Sequence, residues 1–140
     1  MLPQSVQTFI DHQVAAAEQD FSDLRCVVFN GTLKRSPDTS NTDALVEISR
    51  HIMTSLGVQV DTVRTVDHVI PPGVYPDMTE QGYKRDDFPT IYRDLVAPAD
   101  MILLATPIWL GDQSSVTRLL IERLYAYSGE TNEATQWSYY

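Results

Sequence analysis

The 140-residue sequence has one cysteine, no long apolar run and little positive charge. Cys26 has no partner for an intramolecular disulfide, and no CxxC or Cys/His ligand spacing accompanies it. A disulfide scaffold and a structural zinc site are therefore not expected. His12, His51 and His68 share no ligand spacing either, and no metal is expected. No apolar stretch reaches the roughly 20 residues of a membrane-spanning helix. Residues 1–17 lack the basic start and apolar stretch of a secretory signal. Together these absences make the cytoplasm the expected compartment. Lys plus Arg number 10 against 19 Asp plus Glu, a formal net charge of −9. Such an excess repels polyanions, so neither nucleic acid nor an anionic membrane is an expected partner. There is no GxGxxG and no GxxxxGK[ST], which disfavours a nucleoside triphosphate. No Ser/His/Asp or paired-carboxylate constellation stands out, and no proton-transfer catalyst is expected.

What is present is an alternation. The length fits one domain with a sizeable core, and 43% apolar with 21% charged residues is ordinary for a globular protein. Residues 5–19 carry Val6, Phe9, Ile10 and Val14 at helical spacing, a helical extension (residues 1–24) that packs on the body or on a neighbouring subunit. Residues 25–30, R-C-V-V-F-N, suit a strand buried on both faces, with Cys26 an inert thiol inside it. Residues 42–56 read as a helix with a stripe of Leu45, Val46, Ile48, Ile52, Met53 and Leu56, stopped at Gly57. Residues 58–63 alternate apolar and polar like an edge strand.

The stretch 67–88, with Pro71, Pro72, Gly73, Pro76 and Gly82, is too long for an ordinary connection. On it, Tyr75 and Tyr83 read equally as ligand cover or as interface residues, and Lys84, Arg85, Asp86 and Asp87 as a solvated cluster. A helix over 87–96, an apolar strand over 101–105, a second unusual loop over 106–115 and a last helix through Leu120 and Leu124 complete the order. The β-α-β-α-β-α pattern predicts a parallel sheet with right-handed crossovers and helices on both faces, one domain over 25–140. Ligands of such sheets bind outside the carboxyl ends of the strands, where both unusual loops open.

The first loop, N-G-T-L-K-R-S-P-D-T-S-N-T (30–42), brings hydroxyls, Lys34 and Arg35 to a helix start, where free N–H groups and the helix dipole favour a phosphate. Ser40 to Thr42 read equally well as capping residues. The second loop, A-T-P-I-W-L-G-D-Q-S-S (105–115), places a Pro and a Trp directly after a buried strand. That choice suits a flat ring system lying against backbone and an aromatic surface, with Gly111 permitting close approach. Trp109 and Leu110 packing on a helix or in a subunit interface is the alternative.

G-T-L-K-R-S-P-D-T-S-N-T followed by A-T-P-I-W-L-G resembles the NAD(P)H-dependent FMN reductase branch of the flavodoxin-like superfamily, over about residues 25–127. The resemblance implies a three-layer α/β sandwich, with FMN phosphate held by Thr32, Lys34, Ser40, Asn41 and Thr42. It implies ribityl and ring contacts from Pro107, Ile108, Trp109, Leu110 and Gly111. It further implies NADPH or NADH as hydride donor, a small acceptor (quinone, azo compound, flavin or metal ion), and a homodimer or homotetramer. Members of that family continue with two more strands, so a C-terminally truncated chain is expected. A flavodoxin-type electron carrier and a flavin-free interaction paralogue are the alternatives.

Overall fold

In the computed structural model, residues 2–17 and 19–130 are described. The aromatic tail residues Trp137, Tyr139 and Tyr140 lie outside the described residues. The sheet is parallel and centred on β1 (Arg25–Asn30), with β2 (Gln59–Arg64) on one side and β3 (Met101–Ala105) on the other. All of β1 after Arg25 is buried, as its continuous apolar run requires when both faces are covered. The register sets Asn30 level with Arg64 and with Ala105 at the carboxyl ends. This is an α/β sandwich of the expected class.

Each face of β1 feeds a different core. On one face Cys26 and Val28 pack with Val46 of α2 (Asn41–Ser55), joined by Met53, Val60 and Leu103. Burial pushes the Cys26 thiol pKa up, which keeps it protonated and inert. On the other face Val27 and Phe29 meet Phe88, Ile91, Tyr92 and Val96, and Leu120 of α4 (Ser115–Tyr125). The helix expected over 87–96 forms as one α-turn, α3 (Phe88–Ile91), that widens into a π-helical turn over Tyr92–Val96. There the Ala97 amide donates to the Tyr92 carbonyl at 2.8 Å. The outer helix α1 (Gln4–Ala17) packs on α2, but only Ile10 of its expected stripe is buried and Phe9 is exposed. His51 is partly buried and sits 3.0 Å from Asp11 of α1. The apolar β3 is an edge strand whose Met101 and Leu104 are 36% and 37% exposed. Among the described residues no helix is long and apolar enough to cross a membrane.

The 84–87 cluster is not simply a solvated loop, because the Asp86 side chain is wholly buried against an equally buried Arg123. The Arg123 guanidinium donates to Asp86 Oδ2 at 2.6 Å and to the carbonyls of Tyr75 and Pro76 at 2.6 and 2.8 Å. It also lies 5.3 Å over the Phe88 ring. Asp86 accepts in addition from the amides of Met78 and Phe88. Tyr127 stacks on Tyr92 with centroids 3.6 Å apart and donates to Pro76 O, and burial raises its phenol pKa to about 12. The long stretch after β2 is thus strapped to α4 while Tyr75 and Tyr83 stay exposed. The partner of Asp86 lies 37 residues away, out of reach of local pattern.

Removing one member of a buried pair strands the other's charge. Asp86→Ala should lower unfolding free energy by about 3–5 kcal/mol in a urea titration, and the Asp86→Ala/Arg123→Met double variant should cost less than the single. Equal losses in the two variants would contradict the pairing.

Candidate functional site

The two unusual loops meet because glycine stands where no side chain fits. The Gly31 amide donates to Ala105 O at 2.7 Å, and the Ser114 hydroxyl donates to Gly31 O at 2.6 Å. A Cβ on Gly31 would fall 1.9 Å from Thr117 Oγ1. Ser114 also caps α4, accepting from the Thr117 amide, and its own amide donates to Thr106 Oγ1. The loop over 106–114 folds as a short hairpin, β4 (Ile108–Trp109) with β5 (Asp112–Gln113). At its tip Leu110 (φ 52°) and Gly111 (φ 81°) are both left-handed, and Leu110 is fully exposed.

Between the loops lies an open cavity of about 590 Å³, lined by Thr32, Lys34, Thr39, Asn41, Pro107 and Trp109 together with Leu33, Ser40, Thr42 and Ala44. Seven of the ten sequence-derived candidates are brought together there: Thr32, Lys34, Ser40, Asn41, Thr42, Pro107 and Trp109. Ile108, Leu110 and Gly111 are not on that lining; they ride on the exposed hairpin. Groups of three or more His, Cys, Asp or Glu able to hold a metal are not found among the described residues.

The hydroxyl of Ser40 is already committed. It accepts from the Asp43 amide at 3.1 Å, while the Ser40 amide donates to Asp43 Oδ2 at 2.8 Å, a reciprocal capping box. That box satisfies the N-cap and third helical N–H groups. The Asn41 and Thr42 amides, first and second in the helix, have no carbonyl a turn behind them, and both residues line the cavity. Lys34 reaches across the loop, its ammonium 3.1 Å from Thr39 O. Two backbone donors, one ammonium and the positive end of α2 are a donor set suited to a phosphate.

Three residues that hold this arrangement were not singled out from sequence. Asn30 donates to Asp43 Oδ1 at 2.5 Å and accepts from the Thr32 amide at 3.0 Å. Arg64 donates to Asp43 Oδ1 at 2.5 Å and to the Asp38 and Lys34 carbonyls at 2.7 and 3.3 Å. The S-x-x-D spacing of Ser40 and Asp43 could have signalled the box; nothing local signals Arg64. Farther out, Asp67 accepts from the Ser36 amide at 3.0 Å and its hydroxyl at 2.5 Å. The Ser36 hydroxyl holds the Asp67 carboxyl below the ordinary carboxylate range. Asp67 therefore braces the first loop from the start of the long stretch after β2.

A family model described as NADPH-dependent FMN reductase matches residues 24–137. The divalent metal cation transporter MntH of Mycobacterium bovis is 53% identical over 133 residues, 95% of this chain and 19% of that protein. The 8-demethyl-8-aminoriboflavin-5′-phosphate synthase of Streptomyces davaonensis is 26% identical over 122 residues, 84% of this chain and 47% of that protein. The crystal structure of RosB with the bound intermediate 8-demethyl-8-formylriboflavin-5′-phosphate matches with a TM-score of 0.70 and 28% identity, over 81% of this chain and 46% of that one. The chain spans less than half the length of each of these relatives.

Gly31→Ala should destabilise the chain by about 1–3 kcal/mol in denaturant titration, the usual cost of overpacking; an unchanged midpoint would refute the close approach. A depressed carboxyl favours the folded state above the unfolded-state value near pH 3.9, and that contribution fades as pH falls through the folded value. By carbon NMR, Asp67 should titrate below an ordinary aspartate, and Ser36→Ala should bring it up towards one.

Proposed function

We propose that this chain, which belongs to the NADPH-dependent FMN reductase family, holds the FMN phosphate at the start of α2 and serves an FMN-dependent NAD(P)H oxidoreductase. The observation that carries the reading is the single cavity in which Asn41, Thr42 and Lys34 face Pro107 and Trp109. One relative is named for the synthesis of a riboflavin-5′-phosphate derivative, and the solved neighbour holds another such derivative. Both support a phosphorylated flavin as the ligand class.

In this reading the Asn41 and Thr42 amides and the Lys34 ammonium bind the phosphate, and Thr32 shapes the loop by accepting from the Lys34 amide. Pro107 and Trp109 offer the flat apolar wall for the ribityl chain and ring edge. Ile108, Leu110 and Gly111 of the exposed hairpin close over the ring when it is bound. FMN supplies the hydride chemistry, taken from NADPH or NADH and passed to a small acceptor such as a quinone, azo compound, flavin or metal ion. The protein's own work is placement, orientation and exclusion of water, and no side chain transfers a proton. A homodimer or homotetramer is part of the proposal, since the hairpin tip and the β3 edge expose Ile108, Leu110, Met101 and Leu104.

A second reading, a flavodoxin-type electron carrier, draws on the net charge of −9, which suits docking to basic redox partners. Steady-state NAD(P)H oxidation without a partner protein separates the two. Purified chain titrated with FMN should quench flavin fluorescence at one FMN per chain. Lys34→Met should weaken binding roughly tenfold or more. Absence of FMN binding would overturn the proposal.

A further inference from the structure

The donor set at the start of α2 is accompanied by a charge of the wrong sign. Asp43 follows directly on Asn41 and Thr42, so a carboxylate comes next in the chain after two residues that line the cavity at the helix start. A phosphate placed there would be repelled by an unbalanced carboxylate at that range. Among the described residues this charge is met by the guanidinium of Arg64, held at 16% side-chain exposure at the end of β2. Its other bonds are to main chain, because the same group donates to the carbonyls of Lys34 and Asp38. Those two carbonyls bracket the outer turn of the first loop. With both turned onto Arg64, the loop's acceptor groups are drawn to the guanidinium. The planar fork of arginine makes this three-way contact, and a lysine ammonium on a single stem does not.

Resting on the reading of the cavity as a flavin phosphate site, we infer that Arg64 sets the chain's selectivity for a phosphorylated flavin over an unphosphorylated one. It is a positioning residue. It acts by neutralising Asp43 and by fixing the loop carbonyls at Lys34 and Asp38, and it is not among the residues that line the cavity between the loops. The effect is confined to the phosphate end of the ligand. Riboflavin, which has the ring and ribityl chain without the phosphate, is therefore the control ligand.

The test is a pair of fluorescence titrations, FMN and riboflavin, on the unmodified chain, Arg64→Met, Arg64→Lys and Asp43→Asn/Arg64→Met, with thermal unfolding by circular dichroism alongside. Arg64→Met should raise the FMN Kd about 10–100-fold, the scale of a lost charge-assisted contact, and change the riboflavin Kd less than about threefold. The double variant should recover part of the FMN affinity, because the stranded carboxylate is gone. Arg64→Lys, which keeps a charge near Asp43, should lose about fivefold or more for FMN alone and serves if Arg64→Met does not fold. Equal weakening of FMN and riboflavin, or no change for FMN, would overturn the inference while leaving the flavin site standing. Failure of the unmodified chain to bind either flavin would overturn the site reading and this inference with it.

Discussion

The carboxylate of Asp43 accepts from Asn30, Arg64 and both the amide and hydroxyl of Ser40, and the shape of the first loop follows from those bonds. Asn30 ends the central strand, Arg64 ends its neighbour, and Ser40 starts the helix that covers them. One side chain thus ties the carboxyl end of the sheet to the amino end of a helix. The capping box takes two of the helix's free amides and leaves two for a ligand. A loop with several hydroxyls and two cations becomes a directed donor set through this division of labour.

Helix α4 does for the second loop what Asp43 does for the first. Its cap, Ser114, bonds the Gly31 carbonyl and so joins loop to loop. Nine residues on, Arg123 holds the Tyr75 and Pro76 carbonyls and the Asp86 carboxylate inside the protein. The irregular stretch after β2 owes its order to that distant cation, since it has little regular structure of its own. Braced at Asp67 on one side and at Asp86 on the other, it presents Tyr75 and Tyr83 to solvent.

The order of strands and helices was legible because hydrophobic period is a local signal. The run R-C-V-V-F-N suited a doubly buried strand and the stripe from Leu45 to Leu56 a helix laid on it, although Leu45 and Ile52 of that stripe are exposed. The apolar β3 was legible as a strand, while its exposed side reflects the absence of a further pairing strand among the described residues. The loops were read as ligand-binding from composition and family resemblance, and one cavity gathers most of the residues read that way. Arg64, Asp86 and Arg123 were not legible, because the ion pairs and carbonyl bonds of the two arginines span 21 to 48 residues and nothing in their neighbourhoods marks them as buried. Ser40 shows the limit from the other side: its type suited both capping and phosphate contact, and only the geometry assigns its hydroxyl to the cap.

A flavin phosphate held by the first turn of α2 is the premise on which the proposed function stands. The most direct measurement is the amide nitrogen–proton NMR spectrum of the labelled chain during titration with FMN, with riboflavin in a parallel series. The Asn41 and Thr42 amide protons should move downfield with FMN and stay near their starting positions with riboflavin. Equal shifts with both ligands, or FMN perturbations confined to other parts of the chain, would contradict it.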